Sequence, residues 1–129
     1  MLEYRIEKIE AVRCHYILGE GNEEADKPQF GIATIISKMG DNLNAKMQVK
    51  TLGKAKGAFL LDIVVSGDFS VRDCGDSPKD VKDLKRLAVT ILYPYLRSYV
   101  TGVTSLLSNK KGVTLGIIDV EKVANEAEF

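Results

Sequence analysis

Residues 91–108 read ILYPYLRSYVTGVTSLLS, helical by periodicity and largely apolar, yet with Pro94 in the first half and Gly102 near the end. Carried upstream, the pattern gives Leu84, Leu87, Ala88, Ile91, Tyr95, Tyr99, Gly102 and Leu106 at three- and four-residue steps, one stripe expected to cover a sheet. Ser77, Pro78 and Asp80 form the start signature. The hydroxyl accepts from a free N–H, the proline wastes no donor there, and the carboxylate suits the positive helix end. Pro94 cannot donate to the Thr90 carbonyl and its ring crowds that group, a cost of about 3 kcal/mol in a helix interior. The expectation is a short helix from Ser77, then a longer one whose first turn contains Pro94. Gly102 is read as core packing, with close approach of another backbone as the alternative.

Upstream of the helix the period changes from 3.6 to two. In AFLLDIVVSGDFSV, 58–71, one face holds Phe59, Leu61, Ile63, Val65, Phe69 and Val71, and the other holds Asp62, Ser66 and Asp68, the pattern of a half-buried strand. Gly67 within it predicts a bulge or a close backbone approach. Leu43, Ala45, Met47 and Val49 alternate with Asn44, Lys46 and Gln48 in a second strand. FGIATIISKM, 30–39, precedes the turn GDN at 40–42, so a hairpin runs from Phe30 to about Lys50. GKAKG at 53–57 supplies the next turn and completes a three-stranded antiparallel meander.

The ends of the chain read less simply. In YRIEKIEAVRCHYIL, Tyr4, Ile6, Val12, Cys14, Tyr16 and Leu18 fit one strand face, while Ile6, Ile9, Val12 and Tyr16 fit a helix; the pattern alone leaves both open. GEGNEEADKP, 19–28, is a polar loop. After NKKG at 109–112 stops the long helix, Leu115 to Ile118 form an apolar run where a polar linker would be adequate, so that run must bury itself against something. Asp119 then caps a short terminal helix with Val120, Val123, Ala124 and Ala127 on one side.

Composition narrows the class of function. The 129 residues, 45% hydrophobic and 28% charged, fit one globular domain, spanning 1–129. No apolar run reaches the roughly 18 residues of a membrane span, and MLEYRIEKIE lacks the features of a secretory signal, so membrane insertion is not expected and the location is read as cytoplasmic. Cys14, Cys74 and the single His15 are too few for a zinc site, and both cysteines are read as reduced small hydrophobes: no metal and no cofactor. Lys54, Lys56, Lys110 and Lys111 mark basic turns, but the formal net charge is zero and no basic stripe forms, which speaks against nucleic acid. GKAKG lacks the spacing of a phosphate loop and GEG at 19–21 the third glycine of a dinucleotide fingerprint. His15, Asp62 and Glu121 are ionisable but form no recognisable catalytic set, so no enzyme is expected.

The order of elements and two of the stretches quoted resemble the SecB family of protein-export chaperones. ILYPYLRSYVTGVTSLLS is similar to that family's I-L-F-P-Y-A-R helix, and AFLLDIVVSGDFSV to its strand ending G-x-F-S-I. The resemblance covers nearly the whole chain. It implies an α+β fold in which Tyr4 to Leu18 is a strand: a four-stranded antiparallel sheet, then a short helix, a long helix and a short C-terminal helix. It also implies a dimer of dimers joined through helix layers, with unfolded polypeptide held in apolar grooves between sheet and linker. By position, Leu60, Val64, Leu115, Ile117 and Val120 are the expected peptide-binding residues. Phe59, Leu61, Ile63, Tyr95, Tyr99 and Gly102 are the expected oligomer interface.

Departures from the family pattern bear on export. Where the family's linker resembles L-N-L-x-P-V-N-F this chain has VTLGIIDV, which places Ile117 at the proline, Asp119 at the asparagine and Val120 at the aromatic position. An acidic residue that docks the export motor SecA falls at about Arg13, the sequence ends at Phe129 without the family's metal-binding tail, and the chain is neutral where the family is acidic. These differences weigh against contact with SecA. The leading expectation is a SecB-like chaperone or peptide-binding oligomer; the alternative is an oligomeric scaffold for one specific protein partner.

Overall fold

Leu84, Ala88, Leu92, Leu96 and Val100 form the buried seam by which one long helix covers a four-stranded sheet in the computed structural model. The structure describes residues 3–17, 29–52, 60–72, 74–106 and 115–129. The turn GKAKG, the basic turn residues, Leu18 and Phe59 lie outside them. The elements are β1 (Glu3–Ile17), β2 (Gln29–Met39), β3 (Asn42–Leu52), β4 (Leu60–Arg72), α1 (Pro78–Leu106) and α2 (Val120–Glu126). All strand pairs are antiparallel and the order is β1-β4-β3-β2. The meander β2-β3-β4 is as expected. That β1 lies beside β4, at the far edge from β2, had no local signal.

The β2-β3 hairpin closes on Gly40 and Asp41, with Met39 opposite Asn42 and Gly40 at φ 61°, the left-handed twist a two-residue hairpin loop requires. Leu43, Ala45, Met47 and Val49 from β3, and Leu61, Ile63, Val65, Phe69 and Val71 from β4, all point under α1 and are fully buried. Gly67 keeps this phase and faces Ala45 and Ile9 without any slip. It is therefore a close approach and not a bulge: a Cβ there would lie 2.8 Å from Leu92 Cδ2.

The irregularities sit on β1 instead, where the register shifts between Ile6 and Lys8 and again between Ala11 and Arg13. Each shift inserts one residue, so the face shared with the core runs Tyr4, Ile6, Ile9, Ala11, Cys14, Tyr16. Val12 falls out of that face. The same insertions produce the three-residue steps that mimic a helix, and β1 resolves the ambiguity as a strand.

The two helices expected around Pro94 are one. α1 runs unbroken for 29 residues with Pro94 inside it. Pro94 and Thr90 are both exposed, so water can satisfy the carbonyl that the proline cannot. Ser77 Oγ accepts from Asp80 N at 3.2 Å and Asp80 accepts from Gly75 N at 3.1 Å, the expected start. The stripe is corrected in its second half: Leu92, Leu96 and Val100 face the sheet, whereas Tyr95 and Tyr99 are 45% and 38% exposed. Replacing Pro94 by alanine should restore one backbone hydrogen bond at an exposed position and raise stability by about 1–3 kcal/mol; a urea midpoint that fails to rise would contradict this account of the helix.

Beyond α1, Asp119 Oδ1 accepts from Lys122 N at 3.3 Å and caps α2, whose Ala124 is buried. α2 contacts both α1 and β2. Just past it the chain turns extended, and Glu128 forms a parallel bridge to Ile35 on the β2 edge, an addition with no counterpart in the sequence reading.

Candidate functional site

The linker between the helices is fixed at two points. Leu115 is buried in the core cluster at 4% exposure, and the Tyr93 hydroxyl, raised on α1, donates to the Gly116 carbonyl. Burial of the Tyr93 ring pushes its hydroxyl above the usual tyrosine range, so it remains a donor at neutral pH. Ile118 and Val120 are half-buried against the core, and Arg86 pairs with Glu121 at 2.7 Å across α1 and α2. Between these anchors Ile117 projects with 97% of its surface exposed. So exposed, Ile117 does not bury itself with Leu115 and Ile118, a correction to the expected burial of that apolar run.

The residues expected to share one peptide groove do not all meet. Leu115 lies inside the core, and Ile117 and Val120 lie on the helix side of the sheet. Leu60, 52% exposed, and Val64 occupy the opposite face: Leu60 faces Ile17, and Val64 faces Arg13 and Gln48. That face is a polar ladder. Asn44 Nδ2 donates to Asp68 Oδ1 at 2.7 Å, Gln48 Nε2 to Asp62 Oδ1 at 2.8 Å, and Arg13 approaches Asp62 at 3.4 Å. Glu7, inserted at the first bulge, accepts from Ser70 and Arg5 at 2.7 Å each, and these bonds hold its carboxyl below the usual range. Residue alternation on β4 separates the groups: even numbers point away from α1, so one groove cannot hold both sets.

The expected interface residues divide similarly. Leu61 and Ile63 are 2% and 0% exposed beneath α1, a correction to their expected surface role. Tyr95, Tyr99 and Gly102 lie on the outer face of α1, around a depression of about 330 Å³ also lined by Ser98 and Val103. Among the described residues a Cβ on Gly102 would have nothing within 4 Å, so no close packing there calls for a glycine. Core packing, the first reading of Gly102, is thereby corrected.

Asp62 is engaged by Arg13 and Gln48, and Glu121 by Arg86, while His15 stands exposed on β1. Among the described residues no three of His, Cys, Asp and Glu gather as metal ligands would. Both cysteines are free; Cys14 is exposed, and partial burial, aided by Asp80, pushes the Cys74 thiol up and away from reactivity. Among the described residues no helix is long and apolar enough to cross a membrane.

No family model matches the chain, and a search of curated proteins finds no match to it. Solved structures do resemble it in fold. The SecB-like chaperone Rv1957 of Mycobacterium tuberculosis, in complex with a ChAD peptide from the Rv1956 HigA1 antitoxin, superposes with a TM-score of 0.72 at 14% identity over 90% of each chain. A protein of unknown function from Streptococcus agalactiae superposes with a TM-score of 0.62 at 16% identity, over 91% of this chain and 99% of that one. The fold is SecB-like.

Proposed function

We propose that this protein is a non-enzymatic, cytoplasmic peptide-holding protein that binds extended apolar segments of unfolded polypeptide beside its linker. The observation that carries the reading is Ile117, 97% exposed on a linker pinned just before it by Leu115 and the Tyr93–Gly116 bond and just after it by the half-buried Ile118. An apolar side chain held out by a fixed backbone loses little entropy on contact, and burying it gains about 1.5–3 kcal/mol. The mycobacterial neighbour with the same fold is a chaperone seen with a peptide, which supports the class of ligand by fold analogy. That its peptide comes from one antitoxin favours a second reading, a dedicated protein partner, which binding to a single sequence would reveal. Isothermal titration with unrelated unfolded segments tests the first; micromolar binding to several supports it, and binding to none refutes it.

The outer face of α1 supports self-assembly, as a dimer of dimers meeting through helix layers. Two half-exposed tyrosines beside a glycine with nothing packed at its Cβ position among the described residues suit a close helix-to-helix contact. Gly102→Leu should leave the subunit folded, because its side chain has room and leucine is the better helix former by nearly 1 kcal/mol. It should obstruct the contact, so light scattering is expected to find a smaller species than the natural chain forms. A monomeric natural chain at micromolar concentration would overturn the assembly. Linkage to export through SecA has no support in the site: Arg13, where the motor-docking acid would stand, is turned to Asp62.

A further inference from the structure

The β2 edge already holds a piece of extended chain. Glu128 N donates to Thr34 O at 2.9 Å and Glu128 O accepts from Ile36 N at 2.8 Å, a parallel bridge centred on Ile35. The chain enters this bridge straight from α2, whose last turn ends as Ala127 adopts φ −67° and ψ 140°. Ala127 is buried, and Phe129 and Ile35 remain 49% and 55% exposed beside it. One bridged residue covers little of an eleven-residue edge. On an edge strand every second residue turns both backbone groups outward. Thr34 O and Ile36 N fix which set this is, and Ile32 and Lys38 belong to it by alternation. Within Ile32–Lys38, and among the described residues, Thr34 O and Ile36 N are the groups of this set with a backbone partner on that side.

Thr34, which carries one of these two bonds, is 3% exposed, and among the described residues its Oγ1 has no hydrogen-bond partner. We propose that Ala127–Phe129 is a displaceable internal stand-in for a client, occupying a strand-addition site on β2 that an extended apolar polypeptide takes by exchange. The inference rests on the peptide-holding reading above. The occupant's own chemistry defines the ligand: an extended backbone, bonded parallel to β2, with an apolar residue where Ala127 turns inward. Displacing two hydrogen bonds moderates affinity, because only the fraction of molecules with an open edge is competent to bind.

Glu128→Pro removes the donor to Thr34 O at an exposed position. With a short soluble peptide of alternating apolar and polar residues as the calorimetric probe, the variant should bind about three- to tenfold more tightly than the natural chain. In the natural chain, saturating peptide should accelerate amide exchange at Glu128 at least about tenfold and leave Ile36 protected, since its N–H passes to the peptide. Exchange on the natural chain decides the matter even if the variant fails to fold. Peptide binding with Glu128 still protected would overturn this inference alone; no binding by natural chain or variant would overturn the peptide-holding reading and this inference with it.

Discussion

Gly67→Val should unfold the protein at a markedly lower urea concentration, with a loss of about 3 kcal/mol. Valine ordinarily suits a strand interior better than glycine, an advantage within roughly 1 kcal/mol. Here packing wins. The first added carbon would stand 2.8 Å from Leu92 Cδ2 and 2.9 Å from the Phe69 ring, and both side chains are fully buried, so they can yield only by displacing other core atoms. Forcing atoms into a filled core costs about 1–3 kcal/mol, and a β-branched side chain adds two further carbons to the same gap. Against a total stability of about 5–15 kcal/mol this is a large share. Equilibrium unfolding followed by circular dichroism measures it; an unchanged or raised midpoint would mean that α1 does not seat on β4 at Leu92.

Ile117→Asp should do the reverse, leaving the fold intact and removing binding. At 97% exposure the side chain contributes almost nothing to its own subunit, so stability should change by less than about 0.5 kcal/mol. A client that buries Ile117 loses about 1.5–3 kcal/mol of apolar contact, and a carboxylate there must also be desolvated, so affinity should fall at least about tenfold. Peptide titration alongside thermal unfolding separates the two effects. Unaltered affinity would remove Ile117 from the site, and global unfolding would mean that the linker supports the core in a way its exposure denies.

The strands of the meander were legible because each has one buried face, which writes strict alternation into the sequence, as in Leu43 to Val49. β1 was not, because its face changes phase at Glu7 and Val12 and a bulge leaves no residue signature of its own. On α1, three- and four-residue steps connect both faces of an apolar helix. Tyr95 and Tyr99 therefore joined the core stripe in the sequence, although Leu96 and Val100 occupy it in the structure. Pro94 was read as a break because its cost is counted for a buried interior; exposure reduces that cost and burial is a tertiary property. The linker's partial burial was foreseen from its apolarity, but which residue anchors and which projects depends on the Tyr93–Gly116 bond, formed across 23 residues of sequence. The bridge at Glu128 involves backbone alone, so side chains could not announce it.

The central claim, that this fold holds unfolded chain without choosing one sequence, is tested most directly by suppression of aggregation. Two unrelated proteins, each diluted from denaturant, would be followed by light scattering with the natural chain and with Ile117→Asp as the matched control. The account predicts that the natural chain keeps both clients soluble without added nucleotide and that the variant, folded to the same extent, protects neither. Aggregation of both clients at a molar excess of the natural chain would contradict it.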